Sequence, residues 1–351
     1  MTSDGRAAGR PPGGAAVLAA RGADVHQERE SVSRAGRGRW SLLRPGAPGR
    51  QTRRRTGPWG RRRAGATPYL FIAPACLLLA LFGILPILVA AVVSTTDLDI
   101  GGLGDPSTIR FLGLDNYERL FSDPKFWQAL RTTTLFVVLG VPVIIALSLT
   151  IAVGLNVSTS RLFTVLRAFY FLPAITAIVA VALVWGYLYN SQFGLLNQGL
   201  ALVGLGPVGW LSDPNTARVS VAVVAIWRAT GLNVIIFLAA LQAIPQDYHD
   251  AAALDGAGRW ATFRFVTFPL LRFALFFVTV TTLIGWLQFF DEPYVLTKGG
   301  PVGATTSVSL FIFQNGFSFN QFGYASAGSI ILFILIAAVT AVQLRLRGSD
   351  D

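Results

Sequence analysis

Residues 243–260 read Ala-Ile-Pro-Gln-Asp-Tyr-His-Asp-Ala-Ala-Ala-Leu-Asp-Gly-Ala-Gly-Arg-Trp, and the run continues to Phe268-Pro269-Leu270. It is a long polar-and-small stretch lying between two strongly apolar segments. Pro245 suits the first turn of a helix, where a missing N–H costs nothing, and Asp247 suits the positive end of that turn. Ala251 to Leu254 are strong helix formers. Asp255-Gly256 ends the run, since glycine accepts backbone angles that other residues avoid. A second short helix restarts near Gly258 and runs to Pro269. The expected product is a helix–turn–helix outside the bilayer. On its first helix Tyr248, Ala251, Ala252 and Asp255 share a stripe at i, i+3, i+4, i+7. Small side chains there let another protein's backbone come close, so the stripe reads as a docking surface.

Composition says what the loop connects. The chain has 351 residues, 53% of them hydrophobic and only 13% charged. Several apolar runs exceed the ~20 residues a helix needs to cross a bilayer. The expectation is an all-α polytopic membrane protein. The net charge of +11 does not point to nucleic acid, because residues 1–66 hold 15 Arg against four acids and so contain the whole excess. That tail is rich in Arg, Gly, Ala and Pro with no apolar periodicity, and is expected to be disordered. Arg53-Arg54-Arg55 and Arg61-Arg62-Arg63 precede the first apolar run. They read as a topology signal holding the N-terminus in the cytoplasm, with contact to anionic lipid as the alternative. The following run is too long for a signal-peptide core.

Six membrane helices follow in order. The first spans about 68–96, with Pro74 and Pro86 as kinks, and an acidic, aromatic external loop extends to Gln128. The others fall near 129–155, 169–189, 217–241, 270–290 and 323–344. External loops are expected at 190–216 and around Gly299-Gly300-Pro301. The expected parts are therefore a cytoplasmic tail (1–66), a first helix with its external loop (67–128), a five-helix core (129–345) containing the loop 243–269, and a short C-terminal tail (346–351). Positive-inside counting fits this layout. Arg161, Arg167, Arg259, Arg264, Arg272, Arg345 and Arg347 fall on the cytoplasmic side, whereas Arg110, Arg119, Lys125 and Lys298 fall outside among many acids. Both termini are then cytoplasmic, in a multi-pass protein of the cell membrane.

Two motifs carry a family resemblance. Asp250-Ala251-Ala252, Asp255-Gly256-Ala257 and Phe268-Pro269 resemble the "EAA" loop of binding-protein-dependent ABC transporter permeases. Phe289-Phe290-Asp291-Glu292-Pro293-Tyr294-Val295-Leu296-Thr297, followed by Gly299-Gly300-Pro301, resembles the sugar-uptake branch, the permeases for oligosaccharides and glycerol phosphate. Two matches in this order are more specific than either alone. Position 250 departs from the family pattern, holding Asp where Glu is usual. The resemblance implies a type I ABC importer permease fold. It implies that Tyr248, Asp250, Ala251, Ala252, Asp255, Gly256 and Ala257 couple to an ATPase. It also implies these partners: a second, different permease chain, two ATPase subunits, an extracellular solute-binding protein and a carbohydrate substrate. No cofactor is expected on this chain, since ATP and Mg belong to the ATPase.

The residues themselves agree that no covalent chemistry resides here. No Gly-x-x-x-x-Gly-Lys-Ser/Thr loop, His-Glu-x-x-His or Gly-x-Ser-x-Gly occurs. His26 and His249 lack companions for a metal, and the lone Cys76 reads as a small buried hydrophobe within the first helix. Polar groups inside apolar helices are candidates for the translocation path. Arg228, Thr230 and Asn233 lie in the fourth helix; Arg228 either faces the bundle interior, paired with an acid or a substrate hydroxyl, or snorkels to the interface. Trp286, Gln288, Asp291 and Glu292 stand at the end of the fifth. Trp286 suits sugar stacking or an interfacial belt, and the two acids suit the external binding protein or a helix cap. Tyr187, Ser326 and Ser329 are lesser candidates, and Gly285, Gly323 and Gly328 read as packing positions. An ion-driven secondary transporter and an ABC permease for amino acids or peptides are the alternatives. The first needs a buried carboxylate relay that the helices do not display; the second gives no reason for the segment 289–301.

Overall fold

The computed structural model describes residues 67–158 and 160–347. The expectations for the basic tail 1–66 and the last four residues lie outside the described part. The helix packing is that within the compact unit 72–351.

Apart from two isolated bridges, the described residues form helices and turns. Helix α1 (Thr67–Leu79) passes through a π-helical turn, Ala80–Ile84, into α2 (Leu85–Val93). The turn stands directly before Pro86, whose ring displaces the carbonyl it cannot bond. Short helices α3 (Ile100–Gly104) and α4 (Asp115–Ser122) occupy the segment expected to be a loop. Helix α5 (Pro124–Leu155) begins five residues earlier than expected, because Asp123 caps it by accepting from the Lys125 N–H and Pro124 stands at its first position. Pro142 lies inside α5 without ending it.

The third expected span is broken. Helix α6 (Arg161–Ile175) and α7 (Ile178–Leu188) meet at 97°. Pro173 weakens the last turn of α6, and Thr176 and Ala177 are extended. Arg167 donates to the carbonyls of Leu155 and Ser158 at 2.9 and 3.1 Å, closing the end of α5 in the way a basic side chain satisfies last-turn carbonyls. After α8 (Leu195–Leu202), α9 (Pro214–Gln242) starts on the same device as α5: Asp213 accepts from Asn215 and Thr216 ahead of Pro214. The polar loop forms α10 (Gln246–Leu254), α11 (Arg259–Thr262), a π-helical turn, and α12 (Phe268–Leu270). Helix α13 (Arg272–Leu287) leaves it at 64°. The chain closes with α14 (Val308–Phe313) and α15 (Phe322–Arg347).

Among the described residues, four helices are long and apolar enough to cross a membrane, and up to six spans result if each bent pair is one. Helix α5 packs along α9 and α13, α9 along α6, and α15 along α2. One core joins the end of α5, the end of α9 and the start of α13 beside the polar loop, through Leu155, Phe237, Leu241 and Leu271. Another fills the opposite half with Phe136, Ile144, Val221, Trp286 and Phe289. Cys76 is exposed on α1 rather than buried, because that helix presents its apolar side chains outward.

The segment 291–321 is not a solvated loop. Glu292, Thr305 and Ser307 are buried, and hydroxyls brace the chain where its backbone cannot pair regularly. Thr297 and Thr305 share a 2.6 Å bond, Thr305 also donates to the Gly300 carbonyl, and Ser307 donates to that of Phe289. The Val308 N–H reaches Thr133 on α5 at 2.9 Å. Buried backbone groups demand partners, and this Thr/Ser set supplies them.

Candidate functional site: an interhelical cavity and the loop that joins its walls

A cavity of about 390 Å³ lies between α9 and α13. Ala225, Arg228, Ala229, Leu232 and Ile236 face it from α9, at the i, i+3, i+4, i+7, i+11 spacing of one helix face. From α13 come Thr281, Thr282, Gly285 and Trp286, with Phe289 and Glu292 beyond the helix end. A Cβ on Gly285 would meet nothing within 4 Å; this glycine opens the wall and does not serve packing.

Arg228 is the cavity's positive charge. Its Nε donates to Glu292 Oε1 at 2.7 Å, and its Nη2 to Asp291 Oδ2 at 3.3 Å. The Glu292 side chain is 3% exposed, that of Arg228 28% and that of Asp291 49%. The arginine thus faces the interior and does not snorkel, and the acids expected to meet an external protein or cap a helix pair with it instead. A buried carboxylate demands such a partner. Asn233 donates to Thr282 Oγ1 at 3.2 Å, tying α9 to α13 a turn further along.

Trp286 is buried, which removes the interfacial-belt reading. Its ring stacks on Phe289 with centroids 5.1 Å apart, and it lies where a Cβ on Gly140 would come within 2.0 Å. Gly140 of α5 therefore makes the slot for the indole.

Two sequence candidates fall elsewhere. Thr230 is two residues from Arg228, and so on the far side of α9. Its hydroxyl donates to Ile226 within the helix, and it borders a separate apolar cavity under α6 and α7. Gln288 is exposed and opens toward Ser329 and Phe333 on α15. Tyr187 is exposed and Ser329 bonds the Ala325 carbonyl. Sequence reasoning missed Thr281, Thr282 and Gly140. The helical spacing from Arg228 and Trp286 could have found the two threonines, whereas nothing local signals Gly140.

The loop 243–271 joins the two cavity walls directly. Helix α10 ends in a Schellman motif: the Ala257 N–H bonds the Ala252 carbonyl at 2.9 Å, the Gly256 N–H bonds that of Ala253 at 3.1 Å, and Gly256 has φ +75°. Tyr248, Ala251 and Asp255 are exposed together with Asp250, which accepts from Gln246. Ala252, the fourth member of the stripe, is buried against its own chain, because the returning half of the loop covers that edge of α10. Leu254, Trp260 and Phe265 were not singled out from sequence, yet they are 90%, 73% and 74% exposed. These are large apolar side chains left exposed on an otherwise polar loop.

Known proteins resemble the chain in both sequence and fold. Residues 126–347 match the family described as "Binding-protein-dependent transport system inner membrane component". The lactose transport system permease protein LacF of Rhizobium radiobacter is 37% identical over 280 residues, covering 78% of this chain and 92% of that protein. The trehalose/maltose transport system permease protein MalF of Thermococcus litoralis is 36% identical over 277 residues, covering 79% and 92%. In fold, the chain resembles one from the crystal structure of a bacterial alginate ABC transporter in complex with an alginate pentasaccharide-bound periplasmic protein. That match has a TM-score of 0.71 and 21% identity, and covers 81% of this chain and 95% of that one.

Proposed function

This chain belongs to the family of binding-protein-dependent transport system inner membrane components, and from that premise we propose how its parts divide the work of an ATP-driven carbohydrate importer. It is a multi-pass membrane permease subunit, a transport component and not an enzyme. The lactose and trehalose/maltose permeases among its relatives support a carbohydrate as cargo. The chain crosses the bilayer six times, with each bent pair counted as one span and both termini cytoplasmic; the arginine distribution supports this. It lines half the pathway, and a second, different permease lines the other half. Two ATPase subunits, carrying ATP and Mg, seat the loop 243–269, and an extracellular binding protein delivers the substrate.

The observation that carries the reading is that a cavity holding a few convergent polar groups and a polar loop exposing large apolar side chains share the same two helices. Helices α9 and α13 form the cavity walls, and the loop between them presents Tyr248, Leu254, Trp260 and Phe265. Desolvating those side chains in an ATPase cleft anchors the loop. At the far end the walls are tied by Arg228–Glu292, and Trp286 in its Gly140 slot seats α13 against α5. Movement applied at the loop therefore tilts the walls about the tied end, and the cavity alternates between the two sides of the membrane. Arg228, Asn233, Trp286 and Glu292 meet the substrate in this scheme, and Asp291 holds Arg228.

The test is purification of the tagged protein from detergent-solubilised native membranes, with identification of the chains that accompany it. Recovery of a P-loop ATPase and a second six-helix permease is expected. A chain that purifies alone, yet moves solute in proteoliposomes under an ion gradient, would overturn the proposal.

A further inference from the structure

The cavity is lined mostly by apolar side chains with a few polar groups among them, and its cation is already engaged. Among the described residues, Arg228 and Glu292 are the charged groups lining it, and Asp291 closes on the same guanidinium. One positive charge thus faces two negative ones. The remaining basic side chains near other cavities stand apart. Arg131 and Arg218 border a separate cleft with Gln128 and Thr132, where Arg218 is held by the Ala304 carbonyl. Arg272 and Arg347 border another at the opposite end of α13.

We propose that this half of the pathway is built for an uncharged, polyhydroxylated ligand and disfavours acidic sugars; the proposal rests on the carbohydrate reading above. An anionic ligand entering the cavity loses water and needs a cation in return. The guanidinium present is spent on two carboxylates, and the half-exposed Asp291 adds repulsion at short range. A neutral sugar meets no such penalty. Its hydroxyls both donate and accept, which suits the Asn233 amide, the Thr281 and Thr282 hydroxyls, and the carboxylate oxygens beside Arg228. The apolar faces of its rings suit the wall of Phe277, Leu232 and the Trp286 edge. Selection here is by a charge arrangement that rejects the wrong ligand as much as by contacts that hold the right one.

The test uses the purified complex of this chain with its partner permease and ATPase, in nanodiscs and without the extracellular binding protein. Equilibrium binding is measured for maltose, lactose and raffinose and for the acids maltobionate and lactobionate. Neutral sugars are expected to bind at least tenfold better than their acids. Asp291→Asn and Glu292→Gln each free part of the guanidinium, and each should narrow that ratio severalfold. Asp291→Asn changes a half-exposed group, so it keeps the test open where Glu292→Gln fails to assemble. Acids that bind as well as neutral sugars in the unaltered complex would overturn the proposal, as would a ratio that neither variant moves. Binding of none of the five by a complex that still hydrolyses ATP would remove the carbohydrate reading itself, and this inference with it.

Discussion

Arg228 is held by a pair of bonds whose strength can be read from the effect of removing either side. Its Nε–Glu292 bond is 2.7 Å long and joins a nearly sealed carboxylate to a partly sealed guanidinium. Breaking such a pair from one side leaves a buried charge without compensation, at about 3–5 kcal/mol. Arg228→Ala and Glu292→Ala should therefore each lower the unfolding temperature of the purified complex markedly. The double variant Arg228→Met, Glu292→Leu removes both charges and should recover most of that stability while losing transport. A double variant whose stability loss equals the sum of the single losses would show that the two side chains do not act as a pair. Asp291 is half-exposed, and its bond to Arg228 contributes little to stability. The pairing was partly legible: an arginine in an apolar helix implies a partner, and the sequence offered two acids without choosing between them and outside roles. The position of Thr230 was legible too, since two residues along a helix is over half a turn away.

At the scale of elements, two glycines act for opposite reasons. Gly256 has φ +75° and open space around its missing Cβ, so substitutions there act through the backbone. Asparagine tolerates the left-handed conformation, whereas a β-branched residue is held there at about 1–2 kcal/mol or more. Gly256→Asn should keep near-normal uptake, and Gly256→Val should lose uptake while its level in the membrane is unchanged. Normal uptake by the valine variant would sink the coupling role of the loop. Gly140 instead sits where a Cβ strikes the Trp286 ring. Gly140→Ala should lower thermal stability by about 1–3 kcal/mol through overpacking, and Trp286→Leu in the same chain should restore part of it. If the second change only adds to the loss, the slot is not what positions the indole. The helix–turn–helix was readable because Asp255-Gly256 is local turn chemistry. Gly140 was not, because the residue that needs its missing side chain lies 146 positions away in the sequence. For the same reason the segment 291–321 looked like a loop. Its Thr and Ser hydroxyls find their backbone partners only after the chain has folded back on α5.

For the whole molecule, the apolar runs made a membrane protein legible, while the path of the chain through the bilayer depends on its two bent pairs. Apolar length says that α6 and α7 can together cross, but a 97° angle suits a re-entrant hairpin as well as a broken span. The arginine distribution favours a crossing, because Arg161 and Arg167 then share a side with Arg259 and Arg264. The packing adds weight: Arg167 caps the end of α5, and that end shares a core with the start of α13 beside the loop. The chain has one cysteine, exposed Cys76, so a Cys76→Ser background allows the path to be mapped by single cysteines. Four exposed positions serve: Val157, Leu205, Asp255 and Val302. A membrane-impermeant maleimide should label Leu205→Cys and Val302→Cys in intact cells, and Val157→Cys and Asp255→Cys only after permeabilisation. If Val157→Cys and Leu205→Cys label alike, α6 and α7 form a re-entrant pair and the chain has fewer than six spans. If Asp255→Cys labels in intact cells, the docking surface faces away from ATP. In that case the cavity and loop could not be driven as proposed, however well their geometry fits.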